Sequence, residues 1–498
     1  MSVKTYRPGF TVDLYKNVFR NNGVSQRQQA GQHSGDGVMA ITPYLGDGSR
    51  ISTSKDLYKP CGSFVLTVPD QPFVTETGKS AADTLYGLCE PMDGIDLRLA
   101  RSPEQYGGEL PVQMFGLIRE VSRDEAMGRD GKPVRRVIIK GQDYGCIFAN
   151  ILRIIYLKKD IQGPLIPDEF KWIEAIGDAF VLKSAADYMR IFINMANRFL
   201  SRINSDRGGW AWTIQEDITV SEGAVQIFGL HEWQGPIWSA MAREADFPWN
   251  ELYVEDREAG PTLVYRPTPF KTYTPAGQGL SSSYIPQGGQ TIAAETIEIT
   301  ASDIVHINAT RGDYNAGNIF WLLNPNSLQA NFAYATLGQA VISSDPDIND
   351  DDHENNDPRI YGDRLLQEDF RQIPMDVEGD PIRSRREQHR ANNEQHWPNW
   401  FKTRLRWIKA ANRDNVVLEE GEMTLKGNER IKVGCYLHVT RGQFAWECYV
   451  TNVSQEYAPY REFLTHVTFS RGTGFWERSL HEQSPYLLEG RRGVYAGD

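Results

Sequence analysis

Apolar and charged side chains alternate strictly in Ile95-Asp96-Leu97-Arg98-Leu99, as a strand with one face in a core requires. Phe64, Leu66 and Val68 repeat that period. Further on, MFGLIREVSRDEAMGRDGKPVRRVIIKG sets two β-rich runs on either side of Asp130-Gly131, whose tolerance of positive φ suits the loop of a long hairpin. Several strands with short polar connections predict a barrel or sandwich. The period then changes. Ile147, Ile151 and Ile155 recur at helical spacing between Asp143 and Lys159, and Gly163-Pro164 ends that segment. A second helix begins at a Ser184 cap, with Asp187 three residues on. It runs through Met189, Phe192, Ile193, Ala196, Phe199, Leu200 and Ile203 to a stop at Gly208-Gly209.

The strand pattern resumes at about Leu252 with LYVEDREAGPTLVYRPTPF and ETIEITASDIVHINATRGDYNAGNIFWLL. After an interruption it continues through TLKGNERIKVGCYLHVTRGQFAWECYVTNVSQEY and FLTHVTFSRGTGF, where Thr465, Val467 and Phe469 face one way and His466 and Thr468 the other. The expected fold class is mainly β with helical insertions (α+β). Residues 1–155 form a first β unit, 156–245 a helical insertion, 246–323 and 403–498 the two parts of a second β unit, and 324–402 an irregular insertion. That last insertion carries the acidic loop DPDINDDDHENND and the polar, helix-compatible run RSRREQHRANNEQH. GQGLSSSYIPQGGQ reads as a surface connection.

A chain of 498 residues exceeds one hydrophobic core, and 40% apolar content excludes disorder. The excess of 65 acidic over 53 basic residues, a net charge of -12, argues against a general binder of nucleic acid or anionic lipid. Cys61, Cys89, Cys146, Cys435 and Cys448 form an odd set without a C-x-x-C pair, so reduced, buried thiols are expected and no zinc site is read. MSVKTYRPGF has no apolar signal region, and no apolar run approaches the ~18 residues of a membrane span, which places folding in a cytosol.

Signals for chemistry fail on spacing. Gly78-Lys79-Ser80 resembles the end of a phosphate-binding loop, but Phe73 stands at the upstream glycine position. His231-Glu232 lacks the second histidine of a zinc protease helix. Asp345, Asp347, Asn349 and Asp351 have calcium-loop spacing, yet Asp350 takes the glycine position and Asn356 the bidentate glutamate position. In Gly31-Gln32-His33-Ser34-Gly35 the serine falls one place late for a nucleophile elbow. A pair of carboxylates for hydrolysis stays open, since sequence gives no separation between acids. Trp397, Trp400 and Trp407, with Arg404, can form a docking stripe or core packing, and core packing is the expectation.

Three groups of segments together resemble the baseplate hub family of tailed phages, whose relatives include the late control D proteins and the base of type VI secretion spikes. Near the N-terminus these are GSFVLTVPD, CEPMDGIDLRLAR and MFGLIREVSRDEAMGRDGKPVRRVIIKGQDYG, which match a first hub barrel with a Pro-Met-Asp turn and a closing Gly-Gln-Asp-Tyr. WNELYVEDREAGPTLVYRPTPF with ASDIVHINATRGDYNAGNIFWLL, and LKGNERIKVGCYLHVTRGQFAWECYVTNVSQEYAPYREFLTHVTFSRGT, match the second. The insertion 324–402 has no counterpart in that match. The resemblance implies two related small barrels of the tail-tube type in each subunit. Three subunits then close into a homotrimeric ring of pseudo-sixfold symmetry, joining the tail tube protein to the central spike protein and lining the channel for DNA in transit. Baseplate wedge proteins and a tape measure protein are further implied partners, in the tail of a virion, of contractile type by family analogy. It implies no catalytic residue, cofactor, metal or membrane contact. A virion-associated cell-wall hydrolase and a receptor-binding spike component are the rival classes. The first predicts peptidoglycan clearing that one Asp or Glu substitution abolishes; the second predicts repeated β-helix periods, which the sequence lacks.

Overall fold

The computed structural model describes residues 8–17, 38–70, 73–74, 80–82, 84–128, 131, 133–154, 181–207, 211–227, 235–274, 279–323, 353–372, 374, 387–441 and 444–473. Gly31–Gly35, Gly78-Lys79, Asp130, Ile155–Lys159, Gly163-Pro164, Gly208-Gly209, His231-Glu232 and the acid run Asp345–Asp351 lie outside the described residues. The fold is mostly β, built on one large and largely antiparallel sheet, with helices beside it.

In the first unit the strands are β1 (Gly9–Tyr15), β2 (Val38–Ala40), β3 (Arg50–Asp56), β4 (Ser63–Pro69), β5 (Gly94–Ala100), β6 (Val112–Met127) and β7 (Pro133–Asp143). They lie in the order β2-β1-β5-β6-β7-β4-β3. The alternation in β5 is real: Ile95, Leu97 and Leu99 oppose Leu14, Val12 and Phe10 of β1, and all but Phe10 are buried in one core. The β6–β7 hairpin turns through Gly131 at φ +75°, as its sequence requires. Phe64 fills the room that two glycines leave across β6 and β7. A Cβ on Gly116 would sit 2.5 Å from its ring and one on Gly141 2.1 Å.

The second unit comprises β11 (Thr296–Thr300), β12 (Ile304–Thr310), β15 (Glu419–Lys426), β16 (Tyr436–Arg441), β17 (Phe444–Ala458) and β18 (Glu462–Gly472). Its strand order is β11-β16-β17-β18-β15-β12. The two outermost strands are consecutive in the chain, linked only by the turn Ala301–Asp303, so the sheet must curl until its ends lie together. The first unit curls too. Phe10 on β1 packs on Tyr457 with ring centroids 5.1 Å apart, although β1 forms no ladder with β3.

Set aside β2, and both units carry six strands in the same arrangement. Counted along the chain, they lie side by side as first, fourth, fifth, sixth, third, second. Each interior pairing is antiparallel in both units; the first strand alone differs, antiparallel to β5 in one and parallel to β16 in the other. The register agrees as well. A bulge interrupts the long fifth strand between Ile118 and Glu120 in β6 and between Val450 and Asn452 in β17. Beyond it, one apolar row crosses four strands as Val121–Ile139–Leu66–Ile51, and its counterpart as Val453–Val467–Met423–Ile307.

Between the units lies a middle layer. Helix α1 (Ala185–Arg207) starts as the sequence predicts, with Ser184 Oγ accepting from the Asp187 amide at 3.0 Å. Met189, Phe192, Ile193, Ala196 and Leu200 form its buried face. Helix α2 (Ile237–Glu244) joins it over a three-stranded sheet of β8 (Gln215–Ile218), β9 (Asn250–Arg257) and β10 (Gly260–Pro267). Strands 250–267, grouped by pattern with the second β unit, thus pair with 215–218. They are buried on both faces, Leu252, Val254, Leu263 and Tyr265 toward the helices and Tyr253 and Val264 toward the second unit's core. The helical spacing after Asp143 yields one π-helical turn, Ile147–Ile151, because Arg153 and Ile154 pair with Gly235 and Pro236. GQGLSSSYIPQGGQ departs from a loop: Gly279–Tyr284 is a strand, and Ile285 is buried. In the insertion, β14 (Leu365–Asp369) runs parallel to β13 (Ile319–Leu323), and α3 (Glu387–Asn412) leads back into the second unit.

Replacing Gly141 with alanine forces a methyl group into Phe64 and to 2.5 Å from the Leu117 carbonyl oxygen. The expected loss is about 1–3 kcal/mol in urea denaturation, partly restored by adding Phe64→Leu. Unfolding of the single variant at the wild-type midpoint would contradict this packing.

Candidate assembly seam

The two β units become one sheet where β3 pairs antiparallel with the outer half of β17. Ile51 faces Tyr457, Thr53 faces Gln455 and Lys55 faces Val453. The partners are some 400 residues apart in the chain, and the bulge in β17 makes the joint possible. Before the bulge the strand serves β16; after it, the same edge serves β3. Leu57 donates to the carbonyl of the bulge residue Thr451 at 2.8 Å. Tyr457 and Phe463, at the tip of the β17–β18 hairpin, are buried in the core of the first unit.

A buried ionic cluster ties this joint to the middle layer. Lys55 Nζ lies 2.6 Å from Asp256 Oδ2 of β9 and 3.0 Å from Asp143 Oδ2, and donates to the Val254 carbonyl at 3.0 Å. Burial alone would lower the Lys55 ammonium, but the two carboxylates together raise it and hold its charge. Burial raises Asp256 above the ordinary carboxylate range against the pull of Lys55. Asp143 is the aspartate of Gly-Gln-Asp-Tyr-Gly, and it also accepts from the amides of Gly62 (2.8 Å) and Gly145 (2.9 Å). The Pro-Met-Asp turn has a parallel role. Asp93 forms a fully buried pair with Lys16 and accepts from the amides of Asn17 and Glu90, both at 2.9 Å.

A second cluster ties β9 and β10 to the second unit. Glu251 accepts from Arg266 Nε at 3.0 Å and from the Tyr449 hydroxyl at 2.5 Å, and Arg266 donates to the Gly434 carbonyl at 2.5 Å. Burial raises the Glu251 carboxyl, while Arg266 and Tyr449 pull it down. Apart from Asp256 Oδ1, which has no partner among the described residues, these charges are met by opposite charges, a hydroxyl or backbone groups, so they fix register across layers that apolar packing alone leaves free to slide.

An open groove of about 710 Å³ lies beside β9 and the start of β6, and Glu255, Asp256, Glu258, Glu295 and Glu429 line it. Each of these acids is engaged. Glu255 holds Arg257 at 2.7 Å, Glu258 holds Arg98 at 3.1 Å and the Val112 amide at 2.8 Å, and Glu295 reaches Arg430 at 3.4 Å. Glu429 accepts from the Arg101 amide (3.0 Å) and the Tyr106 hydroxyl (2.8 Å). Among the described residues no three His, Cys, Asp or Glu side chains are placed to hold a metal ion.

The tryptophan stripe resolves as core. Arg404 is stacked between Trp249 and Trp400, 4.8 and 4.3 Å from the ring centres, and paired with buried Asp246 at 2.5 Å; Trp407 stacks on Phe270. The side chain of Trp397 lies outside the described residues. All five cysteines are free thiols, four of them buried, and burial pushes Cys61 up to about 11 and Cys89 to about 12. Lys55, Glu251, Asp256 and Arg266 were missed by motif reading. Only Arg266 is a lone charge between apolar strand residues, Tyr265 and Pro267; Lys55 between Ser54 and Asp56, and Asp256 between Glu255 and Arg257, look like solvent-facing positions.

Two outcomes follow from the buried charges. Lys55→Met leaves two carboxylates uncompensated and should cost about 3–5 kcal/mol, of which adding Asp256→Asn returns a part; an unchanged denaturation midpoint would contradict the cluster. At the end of α2, burial first and Asp246 second push Glu244 up to about 7, with Arg243 and Arg371 opposing. A raised carboxyl contributes stability that is full below about pH 4.5 and is lost as pH rises through about 7. The stability of Glu244→Gln relative to wild type should therefore improve by on the order of 2 kcal/mol between pH 5 and 7. Parallel pH profiles would contradict it.

No family model and no curated protein matches the chain. Solved structures do match it. The tail protein from Neisseria meningitidis MC58 is 10% identical, with 93% of this chain and 96% of that one covered and a TM-score of 0.41. The 43 kDa tail protein of prophage MuSo2 from Shewanella oneidensis is 10% identical over 93% and 98% of the two chains, with a TM-score of 0.42. The E. coli c3393 protein, described as a type VI secretion component with structural similarity to the T4 tail proteins gp27 and gp5, is 8% identical over 87% and 74%, with a TM-score of 0.33.

Proposed function

We propose that this chain is the central hub of a phage tail baseplate, a structural protein that acts as a homotrimer. The observation that carries the reading is the repeated six-strand arrangement, identical in strand order and in the register of its long fifth strand. A chain holding two copies of one unit gives, in a ring of three, six similar units around an axis. Such a ring meets a sixfold tail tube on one face and a threefold spike on the other, and duplication removes the mismatch. Each curled unit acts as a small barrel: β11 and β12 are held together by a three-residue turn, and β1 meets the far end of its sheet through Phe10 and Tyr457.

In this reading residues 1–155 form the first hub unit, and the second is interrupted by the insertion 324–402; baseplate wedge proteins and a tape measure protein are further partners. The tail tube protein and the central spike are the axial partners. The net charge of -12 suits a passage that DNA crosses without being held, since few phosphates would find a cation. The role needs neither cofactor nor catalytic group.

Mass photometry of the purified chain, alone and with tail tube protein, tests the reading. Particles of three chain masses that bind the tube are expected; a chain that stays monomeric at every concentration and binds neither tube nor spike would overturn it.

A further inference from the structure

One joint of the proposed ring exists inside the chain, and the repeat shows where the other must be. Within one molecule the second strand of the first unit, β3, pairs with the fifth strand of the second unit, β17, beyond its bulge. The reciprocal pair is the second strand of the second unit, β12, and the fifth strand of the first, β6, beyond its own bulge. Both edges are open. Among the described residues β12 pairs only with β15, and β6 after Ile118 pairs only with β7. An edge strand left unpaired invites another chain.

We propose that β12 of one copy adds antiparallel to the outer half of β6, residues 120–127, of a second copy, so that subunits join head to tail through a continued sheet. This rests on the hub reading above, and it names the surface that subunit contact uses. The equivalence of the two apolar rows fixes the register. Ile307 takes the place of Ile51, and Val121 that of Val453. Carrying over the pairs Ile51–Tyr457 and Lys55–Val453 sets Ile307 opposite Glu125, Thr310 opposite Ser122 and Arg311 opposite Val121.

That register makes a match it was not built from. It brings Met127, exposed by 74%, to the end of β12 where Val305, exposed by 58%, is the extra residue of the bulge between Ile304 and His306. On the other face Asn308 and Thr310 meet Asp124 and Ser122, a polar row like the Ser52–Glu456 and Ser54–Ser454 row of the internal joint. The acceptor strand is also fixed in advance, since Arg123 is held by Asp70 at 3.0 Å and Thr84 at 3.1 Å. Heterologous pairing of this kind closes a ring when the rotation per copy allows it, and three copies give six joints of two alternating types.

Disulfide trapping with Ser122→Cys and Thr310→Cys tests the pairing, because directly opposed strand residues lie within reach of a disulfide. On oxidation the double variant should run as covalent dimer and trimer in denaturing gels. Each single variant should remain monomer, and a mixture of the two singles should stop at dimer. Trimers by mass photometry that yield no cross-link would overturn this pairing and leave the hub reading standing. A protein that is monomeric throughout, binds neither tube nor spike and gives no cross-link would overturn both, while a ladder running past three would support the pairing and contradict threefold closure.

Discussion

One lysine ammonium between two buried carboxylates holds two strands of the first unit in register with the middle layer. Lys55 comes from the strand that joins the two β units, Asp143 from the end of the first unit's long hairpin, and Asp256 from the middle sheet. An ion in such a place is costly to bury, and it is tolerated because the pairing is close and the remaining oxygens of Asp143 are met by backbone amides. The geometry leaves little freedom. A slip of one residue between β3 and β17 would turn Lys55 to the opposite face of the sheet and leave both acids alone. The register of the joint is thus specified by charge as much as by apolar packing.

From that joint the larger architecture follows. A long strand with a bulge can serve two neighbours along the same edge, one in its own unit and one in the next, and β17 does so. Because β6 has nearly the same length and a matching bulge and apolar row, among the described residues the molecule carries one used and one unused copy of a single connector.

Much of the secondary structure was legible, and for simple reasons. Strict alternation in β5, turn residues within the β6–β7 hairpin, and a capped amphipathic α1 are local signals, and local physics decided them. The Gly-Gln-Asp-Tyr and Pro-Met-Asp segments stood out for good cause, since each places an aspartate that closes a buried ion pair. Partner choice was not legible. Nothing in SKD at residues 54–56 announces a strand some 400 residues away, because pairing is decided by tertiary packing. Strands β9 and β10 misled for a related reason. Buried on both faces, they read as any buried strand pair does, and periodicity cannot say which layer owns them. The spacing after Asp143 overstated a helix because two isoleucines at the right interval, Ile147 and Ile151, also suit a single turn packed in a core. The internal repeat was not read from the letters, since short apolar rows such as Val121–Ile139–Leu66–Ile51 and Val453–Val467–Met423–Ile307 are common to many strands, but it is plain in the ladder.

The central claim is that two units of one strand arrangement let three chains present six. A cryo-EM reconstruction of the assembled particle, refined without imposed symmetry, measures this directly. The account predicts an inner ring of six β units, alternating between first and second, with each fifth strand paired across to its neighbour's second strand. A ring in which only one of the two units faces the axis, with the other displaced to the periphery, would contradict it.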